Sequence, residues 1–76
     1  MDTQKFLQNF KDAVEIDDRE IALADNFREY PEWSSLAYLS VISMIDDEYD
    51  VVIDGKDFKE LQTVGDIAEA VAKNLA

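Results

Sequence analysis

Cysteine and histidine are both absent from the 76 residues. Without cysteine there is no disulfide framework, no thiolate nucleophile and no zinc–thiolate site. Without histidine the commonest general base and metal ligand is missing as well. No self-contained nucleophile–base pair can then be assembled, so an enzyme is not expected. Basic residues are scarce: 7 Lys and Arg stand against 18 Asp and Glu, a formal net charge of −11. Nucleic acid and anionic membrane surfaces both require clustered cations, and both are excluded as partners. One proline and two glycines are too few for the many turns of an all-β domain. Apolar runs stop at three or four residues, so no stable membrane insertion is expected. The opening Met1-Asp2-Thr3-Gln4-Lys5 has neither the basic nor the apolar region of a secretory signal. The expected location is therefore the cytoplasm.

What remains is a chain that is 47% hydrophobic, which argues against disorder despite the charge. Its length allows one small domain, residues 1–76, around a modest core. Phe6, Phe10 and Val14, with Leu7 beside them, recur at helical spacing, and Asp2 or Thr3 can cap that first helix. From Glu15 to Trp33 the pattern loosens into a long loop, for which a helical turn is expected at residues 17–21. Ser34 to Tyr49 is the strongest helix, with Ser34 as its cap. Tyr38, Val41, Ile42, Ile45 and Tyr49 form its core face, and Leu36, Leu39, Ser40, Ser43, Asp46 and Asp47 its outer face. Asp54 to Phe58 reads as a short helical turn with Ile53, Phe58 and Leu61 pointing inward. Thr63-Val64-Gly65-Asp66 matches a capping box, after which Val64, Ile67, Ala68, Val71 and Leu75 give the stripe of a last helix. The fold class is all-α: a small four-helix bundle of three longer helices and one short, with a long loop between the first two.

Few constellations carry chemistry. Asp46-Asp47-Glu48-Tyr49-Asp50 followed by Asp54-Gly55 invites a calcium reading. An EF-hand with Gly55 in its sixth place would put Val52 third and Leu61 twelfth, where oxygen ligands are needed, so no metal site is expected. The paired carboxylates read as a solvated acidic face. The remaining oddity is Trp33-Ser34-Ser35-Leu36, two serines and an exposed leucine at the junction of a long loop and a helix. A structural role accounts for it, with Ser34 as cap and Trp33 as a lid on the core. A functional role is also open, because a helix N-terminus favours a phosphate attached to a serine there.

Over essentially its whole length the sequence resembles the acyl carrier protein family. The resemblance is carried by Asp25-Asn26-Phe27, by the Trp33-Ser34-Ser35-Leu36 junction, by Ile45-Asp46-Asp47-Glu48-Tyr49 and by Thr63-Val64-Gly65-Asp66. The family's junction pattern is Asp-Ser-Leu, its serine bearing 4′-phosphopantetheine. Ser35, directly before Leu36, matches that serine, and Ser34 stands where the family has Asp. Ser34 thus remains an alternative attachment site. The early part of the second helix, Ala37-Tyr38-Leu39-Ser40, is less acidic than is usual in the family, which suggests a specialised carrier.

The resemblance implies a carrier of acyl thioesters on covalent 4′-phosphopantetheine derived from coenzyme A. It implies a phosphopantetheinyl transferase and acyl-loading, synthase or acyltransferase enzymes as partners, and a monomer is expected. Docking would involve Ser34, Leu36, Leu39, Asp46, Asp47 and Glu48. An acyl pocket would be lined by Tyr38, Ile42, Ile53, Phe58 and Val71, unless these are ordinary core. The alternative is an unmodified acidic helical adaptor that binds a partner through the second helix.

Overall fold

The structure is a computed structural model, and it describes residues 2–75. Four helices follow one another: α1 (Thr3–Val14), α2 (Ser35–Tyr49), α3 (Gly55–Phe58) and α4 (Val64–Asn74). Asp2 caps α1, its carboxylate accepting the Lys5 N–H at 3.2 Å. The capping box of α4 is complete. Thr63 Oγ1 accepts the Asp66 N–H at 3.0 Å, and Asp66 accepts the Thr63 N–H at 3.1 Å. A second N–H, from Gln62, also reaches Asp66. These bonds to the ionised form hold its carboxyl below the usual carboxylate range. α1 and α2 end on left-handed residues, Glu15 (φ 61°) and Asp50 (φ 55°), where glycine is the commoner choice.

Each helix buries the stripe that its spacing dictates: Phe6, Phe10 and Val14 from α1, Val41 and Ile45 from α2, and Val64, Ile67, Ala68 and Val71 from α4. Phe27 lies among these stripes with no exposed surface. Its ring is 4.7 Å from that of Trp33, 5.6 Å from Phe58 and 6.3 Å from Phe10, centroid to centroid. Rings at these separations and tilts add to the free energy of area burial.

Three expectations are corrected. The buried line of α2 is Ala37, Val41 and Ile45, while Tyr38, Ile42 and Tyr49 are only half-buried at its edges. The reason is that the neighbours differ on each side. Tyr38 packs edge-on against Phe58 of α3, and Tyr49 lies against Phe6 of α1. Leu75 does not extend the α4 stripe, because the backbone has already left the helix at that residue, which is 39% exposed. The helical turn of the long loop falls at Phe27–Glu29, not at residues 17–21. Asp17 to Glu20 have no apolar face to bury, whereas Phe27 supplies one and Asn26 caps it by accepting the Arg28 N–H at 3.0 Å.

The long loop is tied down at both ends. Arg19 pairs with Glu32 through two bonds of 2.8 and 2.9 Å. Asp25 accepts the Ala22 N–H and the Tyr30 hydroxyl. The loop is also hooked onto the start of α4: Val64 N–H donates to Asp25 O at 3.0 Å and Gly65 N–H to Leu23 O at 2.8 Å. A Cβ on residue 65 would lie 3.0 Å from that same Leu23 oxygen, so the close approach favours glycine.

Candidate functional site

The start of α2 is built by what precedes it. Trp33 packs edge-on against Phe27 and parallel to Phe58, with a ring separation of 6.1 Å from the latter. This fixes the chain before the turn. Ser34 is fully extended (φ −159°, ψ 176°), and its Oγ accepts the Ala37 N–H at 3.1 Å. Ser35 is the first residue of the helix and is exposed. Among the described residues its hydroxyl makes no hydrogen bond. The two serines therefore differ. One hydroxyl is occupied in holding the helix end, and the other faces solvent beside the unpaired N–H groups of a 15-residue helix. The first turn of α2 holds no acidic residue to satisfy those donors or neutralise the positive end of its dipole.

The outer face of α2 continues from that point. Leu36 is 74% and Leu39 59% exposed. Asp46, Asp47 and Glu48 are exposed at the far end, and the helix carries no basic residue. A shallow depression between α1 and α2 is lined by Leu39, Asp47 and Glu48 together with Asn9 and Asp12. Apolar contact and negative potential thus lie along one helix, within 15 residues of the exposed serine.

On one flank of Ser35 lies a groove of about 750 Å³. Tyr38 and Phe58, two of the five residues named for an acyl pocket, line it with Trp33 beside them. The other three residues named for that pocket do not line this groove. Ile53 and Val71 are buried in the core, and Ile42 is half-buried on α2 away from this groove. Arg28, Lys56 and Lys59 also line the groove. Arg28 reaches it from the loop and donates to the backbone carbonyls of Phe58 and Leu61, both at 3.0 Å. Its guanidinium lies over the Phe27 ring, 4.9 Å from the centroid. The sequence offered one partial signal for this rim, the i, i+3 spacing of Lys56 and Lys59.

The other flank of the serine pair is acidic. Asp12, Glu15 and Glu32 line a second depression that touches Ser34 and Leu36. The hydrogen bond from Arg19 holds the Glu32 carboxyl down to about 2, so it is fully ionised at neutral pH.

Residues 4–71 match the model of a family described as the phosphopantetheine attachment site. The fold is similar to the solution NMR structure of a holo acyl carrier protein from Geobacter metallireducens, with a TM-score of 0.79. The two chains are 20% identical, and the similarity covers 92% of this chain and 80% of the other.

Proposed function

The chain belongs to the phosphopantetheine-attachment family, and on that premise we propose an acyl carrier protein modified at Ser35 that moves acyl thioesters between enzymes. It is a carrier and not a catalyst, and its cofactor is covalently attached 4′-phosphopantetheine. That group supplies the thiol which a cysteine-free chain lacks.

The contrast between the two serines carries the site assignment. A phosphate ester needs an accessible hydroxyl, and Ser35 has one at the positive end of a helix that lacks an acid in its first turn. Ser34 spends its oxygen on the Ala37 N–H. It does the capping work of the family's aspartate without the charge, which keeps the helix end in place.

The exposed α2 face supports the docking role. Leu36 and Leu39 give apolar contact, and Asp46, Asp47 and Glu48 attract basic patches on a transferase, synthase or acyltransferase. Long-range attraction speeds encounter and weakens with salt, which suits a shuttle that binds and leaves repeatedly. Tethering then raises the local concentration of the carried group at a docked active site. Tyr38 and Phe58 are the expected acyl contacts that adjoin Ser35, and they make the groove the nearest apolar shelter for that group.

The test is intact mass before and after incubation with coenzyme A and a broad-specificity phosphopantetheinyl transferase, with fragmentation to locate the adduct. One phosphopantetheine on Ser35, lost in Ser35→Ala, is the expected result. An adduct on Ser34 overturns the site. A Ser35→Ala protein that still supports the function of the wild type favours the unmodified adaptor.

A further inference from the structure

We propose that Arg19 is a positioning residue for the modification of Ser35: its two-pronged grip on Glu32 sets the path of the chain into α2 and, with it, the direction of the serine. The inference rests on attachment at Ser35 and adds a distant residue on which the rate of loading depends.

Arg19 is the one basic residue between Lys11 and Arg28, in a stretch that also holds Asp17, Asp18 and Glu20. Its two terminal nitrogens donate to the two carboxylate oxygens of Glu32, at 2.8 and 2.9 Å. Such a parallel pair of bonds uses the planar fork of a guanidinium, which lysine cannot reproduce. Arg19 is itself steadied. Its guanidinium lies 5.4 Å from the centre of the Tyr30 ring, and a further bond of 3.1 Å reaches Asp18. The Tyr30 hydroxyl donates to Asp25 at 2.9 Å, and the Asp25 carbonyl accepts the Val64 N–H at the start of α4. A line of contacts thus runs from α4 through the loop to Glu32.

Glu32 is followed directly by Trp33 and the serine pair. Trp33 is fixed by its packing on Phe27 and Phe58. The approach to the helix is therefore held at two consecutive residues, by an ion pair at one and by aromatic packing at the other. Without Arg19, the Glu32 carboxylate would face Asp12 and Glu15 in the depression that also touches Ser34 and Leu36, and no cation lines that depression. Repulsion would drive it, and the backbone that bears it, away from α1. The cap offers modest resistance, since Ser34 holds the helix end by one neutral hydrogen bond of 3.1 Å from an extended backbone. In loading, the Ser35 oxygen attacks the pantetheine-bearing phosphorus of coenzyme A. The bond from that phosphorus to the adenosine bisphosphate moiety breaks, the bisphosphate leaves, and the hydroxyl proton passes to a base on the transferase. The attacking oxygen must lie in line with the breaking bond, and a misplacement of ~1 Å can cost about 100-fold. The docking residues Leu36, Leu39, Asp46, Asp47 and Glu48 lie along α2 and include neither member of the pair. Loss of the grip should therefore act on the transfer step and leave docking as it is.

The experiment measures initial rates of loading by intact mass, with a broad-specificity phosphopantetheinyl transferase, saturating coenzyme A and a range of carrier concentrations. R19Q, E32Q and R19Q/E32Q are compared with the wild type, each shown by far-UV circular dichroism to be folded at the assay temperature. K73Q removes a cation from the far end of α4 and controls for net charge. R19Q is expected to lower kcat about 10-fold with KM unchanged. E32Q is expected to lower it less, since its amide keeps an acceptor and has no charge to be repelled. R19Q/E32Q is expected to lose no more than R19Q, because the two residues act as one pair. R19K, which keeps the charge and loses the fork, is expected to fall between R19Q and wild type, and K73Q to match wild type. An ion pair that only stabilises the fold would leave kcat unchanged in every folded variant, and that result overturns the positioning role while the carrier reading stands. A raised KM at unchanged kcat overturns it too, by placing Arg19 in docking. So does a double variant slower than R19Q, or a K73Q as slow as R19Q. Should R19Q not fold, R19K decides by the same split between kcat and KM. No adduct on Ser35 of the wild type overturns the attachment reading, and the positioning role with it.

Discussion

Replacing Ser34 tests whether a serine can stand in for an aspartate at this junction. The Ser34 oxygen accepts the Ala37 N–H at 3.1 Å from an extended backbone. Ser34→Ala removes that acceptor, which costs about 1 kcal/mol at a typical cap. In a domain of this size that lowers Tm by about 4–8 °C. Ser34→Asp keeps an acceptor and adds a negative charge at the positive end of α2, a gain of about 0.3–1 kcal/mol when exposed. Opposing it are Glu32, which lines the same depression as Ser34, and the net charge of −11. Those repulsions act through solvent and are screened, so the cap decides the order. Asp is expected to match Ser, and both to exceed Ala. Thermal unfolding followed by far-UV circular dichroism, at physiological ionic strength, measures this. An alanine variant as stable as wild type would refute the capping assignment. An aspartate variant as weak as alanine would show that repulsion outweighs the cap. Loading rates followed by intact mass give the functional half. Ser34→Asp is expected to load faster if the transferase presents a basic surface to the junction, since the added charge strengthens that attraction.

Phe27→Ala empties the centre of the aromatic cluster and should cost about 3–5 kcal/mol. That is much of the roughly 4–11 kcal/mol expected of 76 residues. Urea unfolding should therefore find the variant largely unfolded or barely stable, and a small shift in midpoint would contradict the fully buried position. The Glu32 carboxyl is held at about 2 in the folded protein against an ordinary 4.5, chiefly by the hydrogen bond from Arg19. A lowered folded-state value gives stability that is present above the unfolded value and lost as pH falls toward about 2. Glu32→Gln should flatten the urea midpoint against pH across that interval, and an unchanged slope would argue against the pair. Added salt should raise the denaturation midpoint of a chain with net charge −11, and an insensitive midpoint would show that its self-repulsion is unimportant.

Roles that depend on residues three or four apart were legible in the sequence. The caps at Ser34 and Thr63, the box closed by Asp66, and the stripes of α1 and α4 all belong to this kind. Roles that cross the chain were not. Tyr38 is less buried than Ala37 because it borders the groove beside Phe58 of α3, and nothing local to α2 announces this. The loop's helical turn was misplaced for the same reason: Phe27 is held by Phe10 of α1, Phe58 of α3 and Trp33 at the far end of its own loop. At the site, two adjacent serines were equivalent as letters, and only the direction of one hydroxyl separates them. Ile53 and Val71 were read as lining of an apolar space between the helices or as ordinary core, and apolarity alone does not distinguish the two; both are buried in the core. Arg28 and Trp33 of the long loop meet Lys56 of α3, which is a property of the fold.

The hook between Leu23–Asp25 and Val64–Gly65 joins points about half the chain apart. Helices form from local contacts in about a microsecond or less, and α1 and α2 need nothing from α4 to begin. The hook is different, because it closes a loop whose entropic cost grows with its length and must wait for distant residues to arrive. The restraints on the loop leading into Ser35 are therefore complete only when α4 docks. A chain whose α4 is not yet made would expose its serine on a helix whose approach lacks that one anchor. The finished frame around that serine, and any enzyme that reads the frame, depends on residues made well after the serine itself.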